Sequence, residues 1–264
     1  MNIMKFKKVI AGLAIGGLLV GAALTARPLA SWFTEKSCQS YVDENLNNII
    51  KDLENAGAVG IQDFAPFPTV DIQSLESDIG NYWYNENRIT LRPAKIPGRF
   101  ASNAAVNCFS DNTNALRRVL DHEIGHFYIH ALNRSLTDEH CYNCSWQDYE
   151  FYSEYEYIGK DLISEGIAEY FSRKINGTET GRECTDEIWK TYSPLDTEMS
   201  DEVYGDRYYG CSHRLVKPVI DAYGVEGIKR LLVNPPKTQA DIADIPFYQN
   251  RILAELAENH QFGY

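Results

Sequence analysis

The sequence predicts an α+β chain, with a small sheet in the N-terminal half, a central helix and a mainly helical C-terminal part. Three observations predict it. Thr69–Gln73 and Tyr82–Leu91 are short runs of β-branched and aromatic residues, the second broken by the turn formers Asn85-Glu86-Asn87. Ser37–Asn55, Asn114–Leu132 and Asp161–Lys174 repeat apolar residues at three- and four-residue steps. The 264 residues are 44% hydrophobic and include 17 Tyr and 11 Phe, enough apolar matter for one core of catalytic-domain size and too much for disorder.

The N-terminus stands apart from this fold. Lys5, Lys7 and Lys8 precede an uncharged apolar run, Val9–Leu24, and small residues follow at Ala23, Thr25 and Ala26. This is the layout of a secretory signal peptide over residues 1–26. The alternative is a retained anchor over residues 9–25, although the run is shorter than the roughly 20 residues of a full span. Residues 27–264 then form one exported domain, periplasmic or secreted, which meets a membrane only if the segment is uncleaved. The first 26 residues hold three Lys and no acid, so the formal charge of −12 becomes −15 on the remainder. That balance argues against a nucleic-acid surface, which needs clustered Lys and Arg. All six Cys lie in the exported part. An even count there reads as disulfides, with 15 possible pairings that the sequence does not choose among.

The elements follow in order. In Ser37–Asn55 the periodic residues are Tyr41, Leu46, Ile49, Ile50 and Leu53, with Gly57 as a stop. Thr69–Gln73 is a strand and Tyr82–Leu91 a hairpin, ended by Pro93, Pro97 and Gly98. Asp111 or Thr113 can cap the central helix, whose buried stripe is Leu116, Val119, Leu120, Ile124, Phe127 and Ala131. Thr137–Tyr157 is rich in Tyr and acid. Asn176-Gly177 ends the next helix, and Thr178–Asp206 reads as polar loop. Helices are expected over Ser212–Tyr223, Val225–Val233 and Pro246–Glu258, the first ending at Gly224.

The central helix contains His122-Glu123-Ile124-Gly125-His126. Residues four apart lie above one another on a helix, so both imidazoles can reach one zinc ion. Glu123 is one position round. It can reach a zinc-bound water, whose pKa the metal lowers, and take its proton as general base. Gly125 costs about 1 kcal/mol relative to Ala in a helix interior, and its small size admits a close neighbour. A catalytic zinc site needs a third protein ligand and an open position. Leu132 occupies the place of a third His at the spacing HExxHxxGxxH, and His130 lies a turn too far along, which suits a satisfied, partly buried His. Glu165 is the better ligand. It shares a helical face with Glu169, and a buried carboxylate pair needs a cation or donor. Glu169 can accept the free N–H of a zinc-bound His and fix its tautomer.

HExxH followed by a helix reading Ser164-Glu165-Gly166-Ile167-Ala168-Glu169-Tyr170-Phe171 resembles the gluzincin zinc metallopeptidases, in which the Glu of (N/S)EGxAxY is the third ligand. Tyr208-Tyr209-Gly210, Val219-Ile220, Tyr223-Gly224 and Leu231-Leu232 are similar to the segment after the site in peptidase-MA-like members. The resemblance covers roughly Tyr82–Leu232. It implies a zincin-like core: a small sheet with an edge strand for substrate, then two metal-binding helices. It also implies a Tyr that stabilises the oxyanion, for which Tyr208 is the candidate, with Tyr209 and Tyr204 behind it. Arg207 stands where the family spacing puts that Tyr, and Arg207 or His213 could serve instead. The 38 residues between His126 and Glu165 exceed the usual family spacing. Nine acids against Lys160 fall between Asp138 and Glu169, a charge that favours cationic peptides near the site.

The expected function is therefore an exported zinc-dependent peptidase acting on a peptide or protein substrate. His122, His126 and Glu165 would be its zinc ligands, Glu123 and Tyr208 its catalytic groups, and Glu169 would orient a ligand. Endopeptidase is favoured over aminopeptidase, because no acidic, Gly-rich motif for a free N-terminus is present. Two alternatives stay open. Cys141-Tyr142-Asn143-Cys144 could be the redox pair of an exported thiol–disulfide protein, or the chain could bind zinc without hydrolytic activity.

Overall fold

A computed structural model describes residues 38–72, 80–91, 114–136, 154–177, 183–191 and 201–261. The N-terminal segment, the helix caps Asp111 and Thr113, Cys108, most of the acidic segment and the Cys141/Cys144 pair lie outside the described residues. The chain is α+β, with a small three-stranded sheet and mostly helical content.

The first helix, α1, covers 38–56 and buries Val42, Ile49, Ile50 and Leu53. Strands β1 (Thr69–Ile72), β2 (Gly80–Trp83) and β3 (Arg88–Leu91) form the sheet in the order β1-β3-β2. β3 runs parallel to β1, with Val70 opposite Ile89, and antiparallel to β2, with Tyr82 opposite Ile89. The β2–β3 turn needs one left-handed residue, and Asn87 supplies it with φ 46°; Asn pays less than most side chains for that conformation. β2 is thus an edge strand of the described sheet.

Helix α2 (Asn114–Leu136) packs on the sheet with one face and on α3 (Glu154–Asn176) with another; α3 packs in turn on α5 (Asp201–Val233). Burial of α2 extends well beyond its apolar stripe. Asp121 is fully buried, bonded by Arg117 Nε at 2.8 Å and by Asn176 Nδ2 at 2.8 Å, while Arg117 Nη2 also reaches Asp52 at 2.7 Å. These bonds tie α1, α2 and the end of α3 together.

Four helices differ from expectation. α3 starts at Glu154 rather than Asp161, running through Gly159. A Cβ at Gly159 would overlap the Pro236 carbonyl, so glycine there permits a close packing contact. Within the stretch expected to be loop, α4 (Asp186–Thr191) forms and α5 begins. Buried Trp189 holds α4 by donating its indole N–H to the Ala243 carbonyl at 3.2 Å, and a Cys184–Cys211 disulfide joins this region to α5. α6 (Gln239–Ala243) was not expected; Thr238 and Asp241 form a capping box at its start. Cys38 is also disulfide-bonded, so none of the described cysteines is a free thiol.

α5 breaks where the sequence marks a stop: Gly224 has φ 55° and ψ −131°. Pro218, inside the same helix, has no N–H for the Arg214 carbonyl. Gln249 Nε2 from α7 (Ile245–Gln261) donates to that carbonyl at 2.7 Å and to Leu215 O at 3.0 Å. Among the described residues no helix is long and apolar enough to cross a membrane.

Candidate metal centre and active-site cleft

Two glycines bring the site together. A Cβ on Gly125 would lie 2.9 Å from the Ala168 Cα, so only glycine lets α2 approach α3 this closely. Ala168 sits between Glu165 and Glu169, and the close crossing delivers both carboxylates to the histidine face of α2. Two residues back along α3, and so on its opposite side, a Cβ on Gly166 would overlap the backbone carbonyl of Ser212 in α5. That approach brings Tyr209 against His122, edge to face, with ring centroids 5.5 Å apart.

His122, His126 and Glu165 converge on one point and could hold a metal ion. His122 Nε2 is 3.1 Å from His126 Nε2 and 3.1 Å from Glu165 Oε2; His126 Nε2 is 3.5 Å from Glu165 Oε1. The outer ring nitrogens are also engaged. His126 Nδ1 is 3.0 Å from Ser164 Oγ, and His122 Nδ1 is 3.5 Å from Glu169 Oε2. A proton held on each Nδ1 leaves each Nε2 lone pair aimed at the common point. Glu169 is held from behind by buried Arg173, whose Nε donates to Glu169 Oε1 at 2.6 Å.

Glu123 sits beside this triad, nearly buried between α2 and β2. A Cβ at Gly80 would come within 3.0 Å of Glu123 Oε1 and 2.6 Å of Val119 Cγ1, so glycine at the start of β2 makes room for the carboxylate. Burial raises the Glu123 pKa, opposed by the two histidines and by the Tyr82 backbone N–H. The cleft is walled on the helical side by Asp161, Ser164, Glu165 and Tyr209, on the sheet side by Gly80, Asn81, Tyr82 and Tyr84.

Charge is distributed unevenly in the cleft. With no metal bound, burial disfavours the charged form of His122, but its bonds to Glu165 and Glu169 prevail and hold its pKa well above normal, so a metal there would displace the Nε2 proton. Burial likewise opposes ionisation of Glu165 and Glu169, yet the histidines keep Glu165 well below the carboxylate range, and His122 with Arg173 holds Glu169 at about 2. Glu165 chiefly, with burial and the other acids, lifts Tyr209 well above the usual phenol value, so it stays protonated.

Other expected residues are placed elsewhere. The Tyr208 hydroxyl donates to Asp161 rather than facing the triad. His213 stacks on Tyr170 outside the cleft, ring centroids 6.3 Å apart. His130 lines the cleft but its Nδ1 is 3.3 Å from the Tyr82 hydroxyl, apart from the metal-competent group. The side chains of Tyr204 and Arg207 lie outside the described residues. Sequence reasoning did not single out Asp161, Ser164 or Arg173. The signal for two of them was present: Asp161, Glu165, Glu169 and Arg173 follow one another at four-residue steps on one face of α3.

No family model matches the chain, and comparison with curated proteins and with solved structures returned no match.

Proposed function

We propose that the chain is a zinc-dependent peptidase with a zincin-like core of gluzincin type, exported as its N-terminus suggests. The observation that carries this reading is the convergence of His122, His126 and Glu165 beside a nearly buried Glu123. Tetrahedral zinc with bonds of about 2.0–2.1 Å separates its ligand atoms by about 3.3 Å; the two Nε2 atoms are 3.1 Å apart, and the Glu165 oxygens lie 3.1 Å (Oε2) from His122 and 3.5 Å (Oε1) from His126. Two imidazoles and a carboxylate are also the donor set of catalytic zinc with an open position.

Zinc, when bound there, supplies Lewis-acid polarisation and makes water more acidic. The chain's own residues do the rest. Glu123 accepts a proton from the attacking water and returns it to the leaving amine, and its raised pKa suits a group that must both take and release a proton. Glu169 and Ser164 hold the outer nitrogens of His122 and His126. Tyr209, protonated and lining the cleft, is the group we assign to the oxyanion in place of Tyr208. β2, which pairs with β3 alone among the described strands, runs along the cleft, where an extended peptide backbone can pair with groups of β2 other than the Tyr82 N–H that Glu123 engages. The Cys184–Cys211 disulfide supports export to an oxidising compartment.

The test is Glu123→Gln. It should retain one zinc per chain by metal analysis while peptide cleavage falls about 10²–10⁴-fold. Unchanged cleavage would rule out this mechanism, and a wild-type chain that binds zinc but cleaves nothing would leave a zinc-binding protein.

A further inference from the structure

The cleft holds a carboxylate for which the proposed chemistry has no use. Asp161 stands one turn before Glu165 on α3 and lines the cleft with it. Among the described residues its hydrogen-bond partner is the neutral hydroxyl of Tyr208. Burial and the charge of Glu165 push its pKa up to about 6, against that bond and the pull of His126. A carboxylate largely withdrawn from water is normally met by a cation. The cation next to it in the chain, Lys160, meets Glu156 at 3.8 Å. Among the described residues no Lys or Arg lines the cleft. A divalent metal on His122, His126 and Glu165 would offset two of the three cleft carboxylates Glu165, Glu123 and Asp161, leaving the cleft one negative charge in excess. Tyr82, Tyr84 and Tyr209 share the cleft, and aromatic faces favour a cation among them.

We infer that Asp161 is a specificity-determining residue that receives a cationic nitrogen group of the substrate, either a Lys or Arg side chain or a free terminal amine. The inference rests on the peptidase reading for the peptide nature of the ligand, and on the cleft alone for its charge.

Binding is measured by fluorescence anisotropy on the zinc-loaded, full-length Glu123→Gln protein, which keeps Asp161 and does not consume the ligand. The probes are N-acetylated peptides in which a single Lys is scanned through the sequence, each paired with a norleucine version, and the norleucine peptides with a free N-terminus. At least one Lys or free-amine peptide should bind tenfold or more tightly than its uncharged counterpart. That preference should fall to within twofold in Glu123→Gln/Asp161→Asn and return in part with Asp161→Glu. A preference confined to Lys peptides identifies a side-chain site, and one confined to free-amine peptides a terminal site. No cation preference with Asp161 intact overturns the inference whether or not Asp161→Asn folds, and so does a preference that survives Asp161→Asn. Cleavage of the same peptides by the wild-type chain separates the two readings. Glu123-dependent cleavage without a cation preference removes only the role of Asp161, whereas a cation preference without any cleavage removes only the peptidase activity.

Discussion

Glu169 has a hand on two sides of the site, with Oε2 toward His122 Nδ1 and Oε1 gripped by Arg173. A carboxylate fixed in this way can hold the imidazole in one tautomer and one orientation. Glu169→Gln should therefore weaken zinc binding by about 10–100-fold, read by competition with a chromogenic chelator, and Arg173→Gln should weaken it in the same direction through the loosened carboxylate. Zinc affinity unchanged in both variants would show that the His122 orientation is set by helix packing alone. The two neighbouring tyrosines offer a sharper contrast. Tyr209 lines the cleft and Tyr208 turns to Asp161. Tyr209→Phe should lower kcat by about 10²–10³-fold, the usual cost of a lost oxyanion donor, with little change in KM, and Tyr208→Phe should keep kcat within a few fold. The reverse ranking in steady-state assays would return the role to Tyr208.

At the scale of elements, the site depends on how closely three helices cross. Gly125 against Ala168 and Gly166 against Ser212 are backbone-to-backbone contacts with no flexible side chain able to give way. Gly166→Ala should therefore destabilise the fold by about 1–3 kcal/mol, as overpacking does, measured by urea unfolding. A neutral or stabilising result would mean that the α3–α5 crossing is looser than described. The sequence makes the helical identity of α2 legible, along with its four-residue His spacing, because both follow from local periodicity. It makes the β2–β3 hairpin legible through its turn residues. It hides the start of α3 and the whole of α4, because both fall in polar, acid-rich stretches without a clear apolar stripe and are fixed by contacts distant in the chain. Gly159 becomes intelligible only beside Pro236, and Trp189 only beside Ala243.

The whole molecule carries pH dependence in groups buried by packing. His213 is partly enclosed against Tyr170; burial chiefly, with the charge of Arg173, lowers its pKa to about 4. In the unfolded chain it titrates near 6.5. Between those values the unfolded state binds a proton that the folded state does not. The stability contribution is thus intact above about pH 6.5 and lost as pH falls toward 4. Asp121 works in the opposite sense, since burial raises it to about 6 and folding gains a proton as pH falls through that value. Comparing variants isolates one group from the other. From pH 7 to 5.5, metal-free wild type should lose about 1 kcal/mol more stability than metal-free His213→Gln, by urea unfolding in the presence of chelator. Parallel losses would show that His213 titrates as if exposed.

By itself, the sequence determined the chemistry available: a His pair one helical turn apart, a Glu beside the first His, and a second helix carrying Glu165 and Glu169 on one face. Those are properties of helical spacing, which a chain carries with it wherever the helix docks. Only the tertiary structure decided which groups share a cleft. It put Tyr209 rather than Tyr208 against His122, set Arg173 behind Glu169, and left Asp161 facing the cleft with no Lys or Arg beside it among the described residues. Each of these follows from the distance and rotation at which α2, α3 and α5 cross, and backbone contacts at Gly125 and Gly166 set that distance through atoms nowhere near one another in the chain.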